Sequence, residues 1–306
     1  MEDEIYMRRC LELAASGLCT TPPNPMVGAV IVCDNRIIGE GYHVRAGGPH
    51  AEVRAINAVR RPELLRRSTI YVSLEPCAHY GKTPPCADLI IERQIPRIVV
   101  GCRDPFAQVD GRGIEKLRAA GREVVVGVLE AECLRLNRRF ITFHTQHRPY
   151  ITLKWAESAD GFIDRRRNSI DDGPAARLSS PLTAMLVHKR RSENTAIMVG
   201  ARTAALDAPQ LTVRDWYAER QPVHIVIDSS RPLRDRLDEL YRQQLQSLLV
   251  EGGSRLLQAF IDAELWDEAF VEEAPLTLGD GVKAPRMSGV YREEQAFGRT
   301  IRHYTR

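Results

Sequence analysis

The sequence predicts an α/β protein of two domains, and three observations lead there. Apolar runs of strand length alternate with helical stretches along most of the chain, the pattern of sheets covered by helices. With 306 residues the chain exceeds the about 100–200 of an ordinary domain. Near its middle, Arg148-Pro149 breaks a long helical stretch, so residues 1–147 are assigned to a first domain and 148–306 to a second.

In the first domain, Glu2 to Ser16 reads as a helix with Ile5, Cys10, Leu11, Leu13 and Ala14 on its apolar stripe and Gly17 as its stop. Val27 to Cys33 is a nearly unbroken apolar run, as in a strand covered on both faces. Asp34-Asn35 turns it into a return strand, Arg36 to Tyr42. Gly47-Gly48-Pro49 delivers His50 to a helix that reaches about Arg60, with Val53, Ile56 and Val59 inward. A strand from Thr69 to Leu74 follows, then a helix opened by Cys86, a strand from Arg97 to Gly101, a helix from Gly113 to Ala120 and a strand from Glu123. This order gives a three-layer α/β sandwich. Glu130 to Thr145 reads as one long helix.

The second domain alternates again. Tyr150 to Trp155, Ala196 to Gly200, Pro222 to Asp228 and Leu248 to Val250 read as strands. Helices are expected from Ser180 or Pro181 to about Arg191, from Asp235 to Gln246 and from Ser254 to Ala263. Two strand–glycine–helix junctions, Val199-Gly200 and Gly252-Gly253, are either phosphate sites on free backbone N–H groups or ordinary turns.

Composition narrows the function. A hydrophobic fraction of 43% supports a sizeable core. A net charge of +3 suits an anionic small molecule but falls short of a nucleic-acid footprint, and 6% aromatic residues give little base stacking. The start Met1-Glu2-Asp3-Glu4 is acidic where a signal peptide is basic, and no apolar run is long enough for a bilayer. Seven cysteines, an odd number confined to the first half, fit metal binding in a reducing cytoplasm better than a disulfide framework.

The chemistry concentrates in His50-Ala51-Glu52 and in the stretch Glu75-Pro76-Cys77 to Cys86, the pattern of zinc deaminases. One imidazole and two thiolates hold Zn²⁺ and leave a fourth position for water, whose pKa the metal lowers. Glu52, beside the metal but not on it, can shuttle protons. His79 is the candidate fourth ligand of a competing reading, a closed zinc module without catalysis. A nucleic-acid deaminase is a further alternative, but Arg60, Arg61, Arg66 and Arg67 have no aromatics among them and read as a solvated face. Asn24, ending a proline-rich loop, is either a turn residue or a hydrogen-bonding partner for a substrate base.

The chain resembles the bifunctional riboflavin-biosynthesis deaminase–reductase family along nearly its whole length. The most specific likeness is Leu74-Glu75-Pro76-Cys77-Ala78-His79-Tyr80-Gly81-Lys82-Thr83-Pro84-Pro85-Cys86, with its long Cys-to-Cys insert. Asn24-Pro25-Met26-Val27-Gly28, Asp104-Pro105, Leu153-Lys154, Ser158-Ala159-Asp160-Gly161, Leu211-Thr212-Val213-Arg214 and Val250-Glu251-Gly252-Gly253 add to it.

This resemblance implies a cytidine-deaminase-like sandwich followed by a dihydrofolate-reductase-like α/β domain. It implies zinc-dependent deamination of a diaminopyrimidinone carrying a ribosylamino 5-phosphate, then reduction of the ribosyl group to ribityl with NADPH. His50, Cys77 and Cys86 match the zinc ligands, Glu52 the proton donor, and Asn24 and Lys82 substrate contacts. In the second half Lys154 matches the lysine near the reacting sugar. Ala175, Arg191, Leu211, Arg214 and Glu251 fall at substrate positions, and Glu157, Arg177, Thr203, Asp207, Ser229 and Gly253 at cofactor positions. The expected partner is a small pyrimidine ribose-phosphate, with no nucleic acid or membrane, in a homo-oligomer of two or four chains. The chain also departs from the family. About one β-α unit, of order 20–30 residues, is absent between Ser229 and the helix before Glu251. Ala175 stands where serine is common and Arg177 where an aromatic is common.

Overall fold

In the computed structural model, residues 2–80, 84–105, 111–227 and 231–306 are described. The chain divides into two compact units, Met1–Gln146 and His147–Arg306.

The first unit is built on a five-stranded sheet. Its strands are β1 (Gly28–Cys33), β2 (Arg36–Tyr42), β3 (Thr69–Leu74), β4 (Arg97–Cys102) and β5 (Glu123–Val126), in the order β2-β1-β3-β4-β5. The β1–β2 hairpin turns at Asp34 and Asn35, both in the left-handed region at φ 50° and 60°, which these residue types tolerate. All six residues of β1 are buried, because helices cover both faces of the sheet. Helices α2 (Ala51–Asn57), α3 (Cys86–Glu92) and α4 (Arg112–Ala119) pack on one face against Ile31, Ile70, Val72, Ile98 and Val100. Helices α1 (Glu2–Ala15) and α5 (Glu130–Leu136) cover the other, where Met7, Cys10 and Cys133 meet Val30, Val32, Tyr71 and Val99.

Three expectations are corrected here. In α1, Met7 is buried and Ile5 is 65% exposed. In α2 the inward face is Ala51, Glu52, Ala55 and Ile56, with Val53 only half-buried. The long helix from Glu130 is two, α5 and α6 (Arg138–Gln146), parted at Asn137. The buried Asn137 amide donates to Met26 O at 2.9 Å and accepts from Met26 N–H at 2.8 Å, a bond across 111 positions that no local pattern announces.

The second unit holds a mixed seven-stranded sheet of β6 (Tyr150–Ser158), β8 (Ala196–Gly200), β9 (Val223–Ile227), β10 (Ser247–Glu251), β11 (Glu268–Ala274), β13 (Tyr291–Ala296) and β14 (Arg299–Thr305). Its order is β13-β14-β11-β6-β10-β8-β9, and β7 (Phe162–Asp164) forms a separate pair with β12 (Val282–Lys283). The strands after Asp267 are additions to the sequence reading. Helices α9 (Leu233–Arg242) and α10 (Ser254–Asp262) bury Leu237, Leu240, Leu257 and Phe260 against Ile151, Leu153, Met198, Leu248 and Val250 on one face. The opposite face carries α7 (Pro181–Ser192) and a smaller cluster, Ile197, Val199, Leu211 and Leu249, beside α8 (Ala201–Asp207). Strand β9 forms one edge of the sheet, and α9 begins at Leu233. Among the described residues no helix is long and apolar enough to cross a membrane.

Candidate functional site

In the first unit the donors come from two helix starts and one strand end. His50 is the N-cap of α2, in extended backbone at φ −69° and ψ 164°. Cys77 follows β3 through Glu75-Pro76, and Cys86 is the first residue of α3. His50 Nδ1 lies 3.6 Å from Cys77 Sγ and 3.3 Å from Cys86 Sγ. Cys86 N–H donates to Cys77 Sγ at 3.3 Å, and Ala87 N–H to Cys77 O at 3.1 Å, which ties the Cys77 loop to the first turn of α3. The three ligand atoms lie within 4.8 Å of one another, and His79 does not belong to the group. Two thiols and an imidazole at this spacing suit Zn²⁺.

Without metal the donors share protons among themselves. The Cys86 thiol and the His50 imidazole hold the Cys77 thiol down at about 4. The Cys77 bond holds His50 up at about 9, and the Cys77 contact pushes the Cys86 thiol well above its usual range. Metal binding therefore releases protons, because thiolates and a neutral imidazole are the ligating forms. Glu52, in the first turn of α2 and 3% exposed, is raised to about 7, first by burial and then by the negative charge of Cys77. The Cys86 thiol hydrogen-bonds to its carboxylate, which sets Glu52 beside the donor group without joining it.

Two further residues shape this site. His43, which sequence reasoning passed over, is buried, with Nδ1 at 3.2 Å from Pro49 O and Nε2 at 3.0 Å from the Asn24 amide nitrogen. A carbonyl can only accept, so the proton sits on Nδ1 and Nε2 accepts from Asn24. Burial lowers the pKa of His43, in keeping with that neutral form. The Asn24 amide is thereby held in one orientation, so its place in the structure is more than a turn. Lys82 lies outside the described residues.

Glu75 is the second. Its buried carboxylate accepts from the backbone N–H groups of Gly111 (3.0 Å), Gly113 (2.9 Å), Ile114 (3.1 Å) and Asp104 (3.4 Å). The start of α4 is thus fastened to the strand end that presents Cys77. A Cβ at Gly113 would come within 1.9 Å of Pro76 O, so only glycine allows this approach. The sequence signal was available: a carboxylate ending an apolar strand, next to a metal ligand. Glu75→Ala strands several buried donors and is expected to destabilise the first unit by about 3 kcal/mol, read as a lower midpoint in denaturant.

The second unit gathers another polar group. Lys154 on β6 is in register with Glu251 on β10 and with Phe270 on β11, so the three side chains share one face of the sheet. Helix α7 lies over that face. Arg191 forms a two-pronged pair with Glu251 at 2.9 and 2.6 Å and donates to Thr212 O at 3.0 Å. Thr183 and Ser179 both donate to Glu272 at 2.6 Å, and the Arg190 guanidinium sits 3.8 Å over the Phe270 ring. Burial lowers the pKa of Lys154, with Glu251 and Glu272 opposing the shift. Glu272 was not anticipated, since an acid inside the apolar strand β11 hides its partners.

Gly252 and Gly253 adopt φ of 105° and 70°, and Gly253 caps α10. A Cβ on either would press within 3.2 Å of Thr203 on α8. The two glycine junctions thus meet at one place, a bare backbone cradle with the chemistry to take a cofactor's phosphates. Asp207, one turn beyond Thr203, is paired with Arg167. Glu157 faces the other side of the sheet, bonded to Trp155 Nε1 at 2.8 Å and to Arg302, so its side chain stands apart from Lys154. Ala175 and Arg177 are exposed in the segment before α7, Leu211 is buried, and Arg214 is exposed with its guanidinium 3.1 Å from Thr212 Oγ1. Ser229 lies outside the described residues.

Comparison with known proteins follows this division. Residues 1–102 match the cytidine and deoxycytidylate deaminase zinc-binding region, and residues 149–292 match the RibD C-terminal domain. The chain is 38% identical to the riboflavin biosynthesis protein RibD of Aquifex aeolicus, over 92% of this chain and 89% of the relative. It is 36% identical to RibD of Escherichia coli, over 92% and 90%. The alignment with the Aquifex relative runs over 323 positions yet takes up 92% of 306 residues, a shortfall of about 40 positions in this chain, large enough for a missing β-α unit. The crystal structure of a diaminohydroxyphosphoribosylaminopyrimidine deaminase/5-amino-6-(5-phosphoribosylamino)uracil reductase from Thermotoga maritima superposes with a TM-score of 0.88 at 36% identity, covering 99% of this chain and 98% of that one. The chain belongs to the RibD family of riboflavin biosynthesis enzymes, which join a zinc-binding deaminase region to an NADPH-using reductase domain.

Proposed function

We propose that the chain catalyses two successive steps on one small molecule. The first unit hydrolyses the amino group of 2,5-diamino-6-(5-phosphoribosylamino)pyrimidin-4(3H)-one. The second reduces the ribosyl side chain of the product to ribityl. The observation that carries this reading is the convergence of His50, Cys77 and Cys86 with the buried Glu52 beside them. The Thermotoga relative bears the names of both activities.

Zinc, when bound by His50, Cys77 and Cys86, supplies Lewis acidity that makes water nucleophilic near neutral pH. Glu52 relays the two protons of that water in turn, the first to a ring nitrogen as the oxygen adds and the second to the departing ammonia as the carbonyl forms. Asn24, oriented by His43, hydrogen-bonds the pyrimidine, and Lys82 contributes at the same ligand. In the second unit NADPH supplies the hydride. Thr203, Asp207, Ser229 and Gly253 hold the cofactor, with Arg177 contributing from the segment before α7, whereas Glu157, bonded to Trp155 and Arg302 on the opposite face of the sheet, is not given that role. Lys154 provides a positive charge beside the sugar carbon, and Arg191, Arg214, Glu251, Leu211 and Ala175 seat the ribose phosphate.

A small-molecule substrate is favoured over nucleic acid because Arg61 and Arg67 of the basic run are paired with Glu63 and Asp34. We place the enzyme in the cytoplasm, in keeping with seven free cysteines, as a homo-oligomer of two or four chains. The test is product analysis with the diaminopyrimidine phosphate. Without NADPH the deaminated ribosyl compound should accumulate, and with NADPH the ribityl compound should replace it. Absence of ammonia release rejects the first step, and an unchanged product on adding NADPH rejects the second.

A further inference from the structure

Leu211 to Asp215 has no regular secondary structure, yet it is held with unusual completeness. Leu211 is buried at φ 54° among Ile197, Val199 and Leu249. From Thr212 O to Arg214 N, four consecutive backbone polar groups are bonded by side chains from elsewhere. Arg191 donates to Thr212 O at 3.0 Å. Gln221 accepts from Val213 N–H at 2.7 Å and donates to Val213 O at 3.1 Å. His188, 5% exposed on α7, accepts from Arg214 N–H through Nδ1 at 3.2 Å and faces Asp215 Oδ2 through Nε2 at 3.3 Å.

We propose that His188 is a positioning residue for reduction: it fixes the backbone at Arg214 so that this exposed guanidinium meets the substrate phosphate in a set geometry. The inference rests on the reductase reading above and adds a residue to it. The argument starts from the imidazole. Nδ1 can accept from Arg214 N–H only if the ring proton is on Nε2, and that proton then points at Asp215, so one neutral tautomer satisfies both neighbours. A doubly protonated ring presents N–H to N–H at Arg214 and loses that bond. Four charged groups face His188: Arg191 on its own helix, Arg214 and Asp215 on the segment, and Glu251 on β10. Burial, then Arg191, holds its pKa below the usual histidine range, against Asp215 and Glu251, so the accepting form is present at neutral pH. Arg214 itself is tied to Thr212 Oγ1 by one nitrogen, which leaves its other donors for an anion.

The test combines amide hydrogen exchange with kinetics on the full chain. In His188→Ala the Arg214 amide should exchange at least about tenfold faster, and KM for the deaminated pyrimidine phosphate should rise about tenfold with kcat within about twofold. In His188→Asn the side-chain oxygen takes the place of Nδ1, and both values should return to near wild type. Wild-type KM should also climb more steeply than that of His188→Asn as pH falls below 6.5, the substrate's own titration being common to both. Unchanged Arg214 exchange in His188→Ala overturns the inference, as does a His188→Asn chain that matches the alanine variant or keeps the wild-type pH dependence. Unchanged slow exchange of the core amides of β8 and β10 confirms that the second unit of each variant is folded. A wild-type chain that consumes no NADPH overturns the reductase reading instead, while the exchange data still decide whether His188 holds the segment.

Discussion

Glu52→Gln is expected to lower ammonia release by about three orders of magnitude, with zinc content unchanged at one per chain. Glutamine keeps the shape of the side chain in a position that is 3% exposed, so neither cavity nor clash follows. It also leaves the three donors His50, Cys77 and Cys86 intact. What it removes is the ability to accept a proton and hand it on. Metal analysis and ammonia assay on the same sample separate the roles, and full turnover by the variant would reject Glu52 as the proton carrier. Loss of metal together with activity would mean that Glu52 supports the zinc ligands instead.

Lys154→Met is expected to cut NADPH consumption at least about a hundredfold while ammonia release continues. The lysine is the cation on a face of the sheet that also carries Glu251 and Glu272. Its removal does not orphan either acid. Glu251 keeps its two bonds to Arg191, and Glu272 keeps Ser179 and Thr183. Methionine fills a similar volume without burying a charge, so the second unit should stay folded. A methionine variant that reduces substrate at the wild-type rate would remove Lys154 from the reaction.

What was legible in the sequence is what local physics decides. Strands β1, β3 and β8 are dense apolar runs closed by turn residues, and their limits can be read within a residue or two. The metal donors were legible for another reason, since His, Cys and Glu at these spacings have few other common uses. Features set by distant partners were hidden. The break between α5 and α6 depends on Asn137 reaching Met26. The strands β11, β13 and β14 were obscured because buried acids interrupt the alternation of β11 and β13 is mostly exposed. Glu268 and Glu272 are tolerable inside the sheet because Thr152 and His303 meet the first and Ser179, Thr183 and Arg299 the second. The Arg191–Glu251 pair joins residues 60 apart, and the roles of Glu75 and His188 likewise exist only once the chain has folded.

The central claim is that one imidazole and two thiolates hold the metal and leave it able to take water. X-ray absorption at the zinc edge of the loaded wild-type protein tests this most directly. The account predicts two sulfur neighbours, one imidazole and one lighter non-protein oxygen. A second imidazole in that shell, lost on His79→Ala, would contradict it.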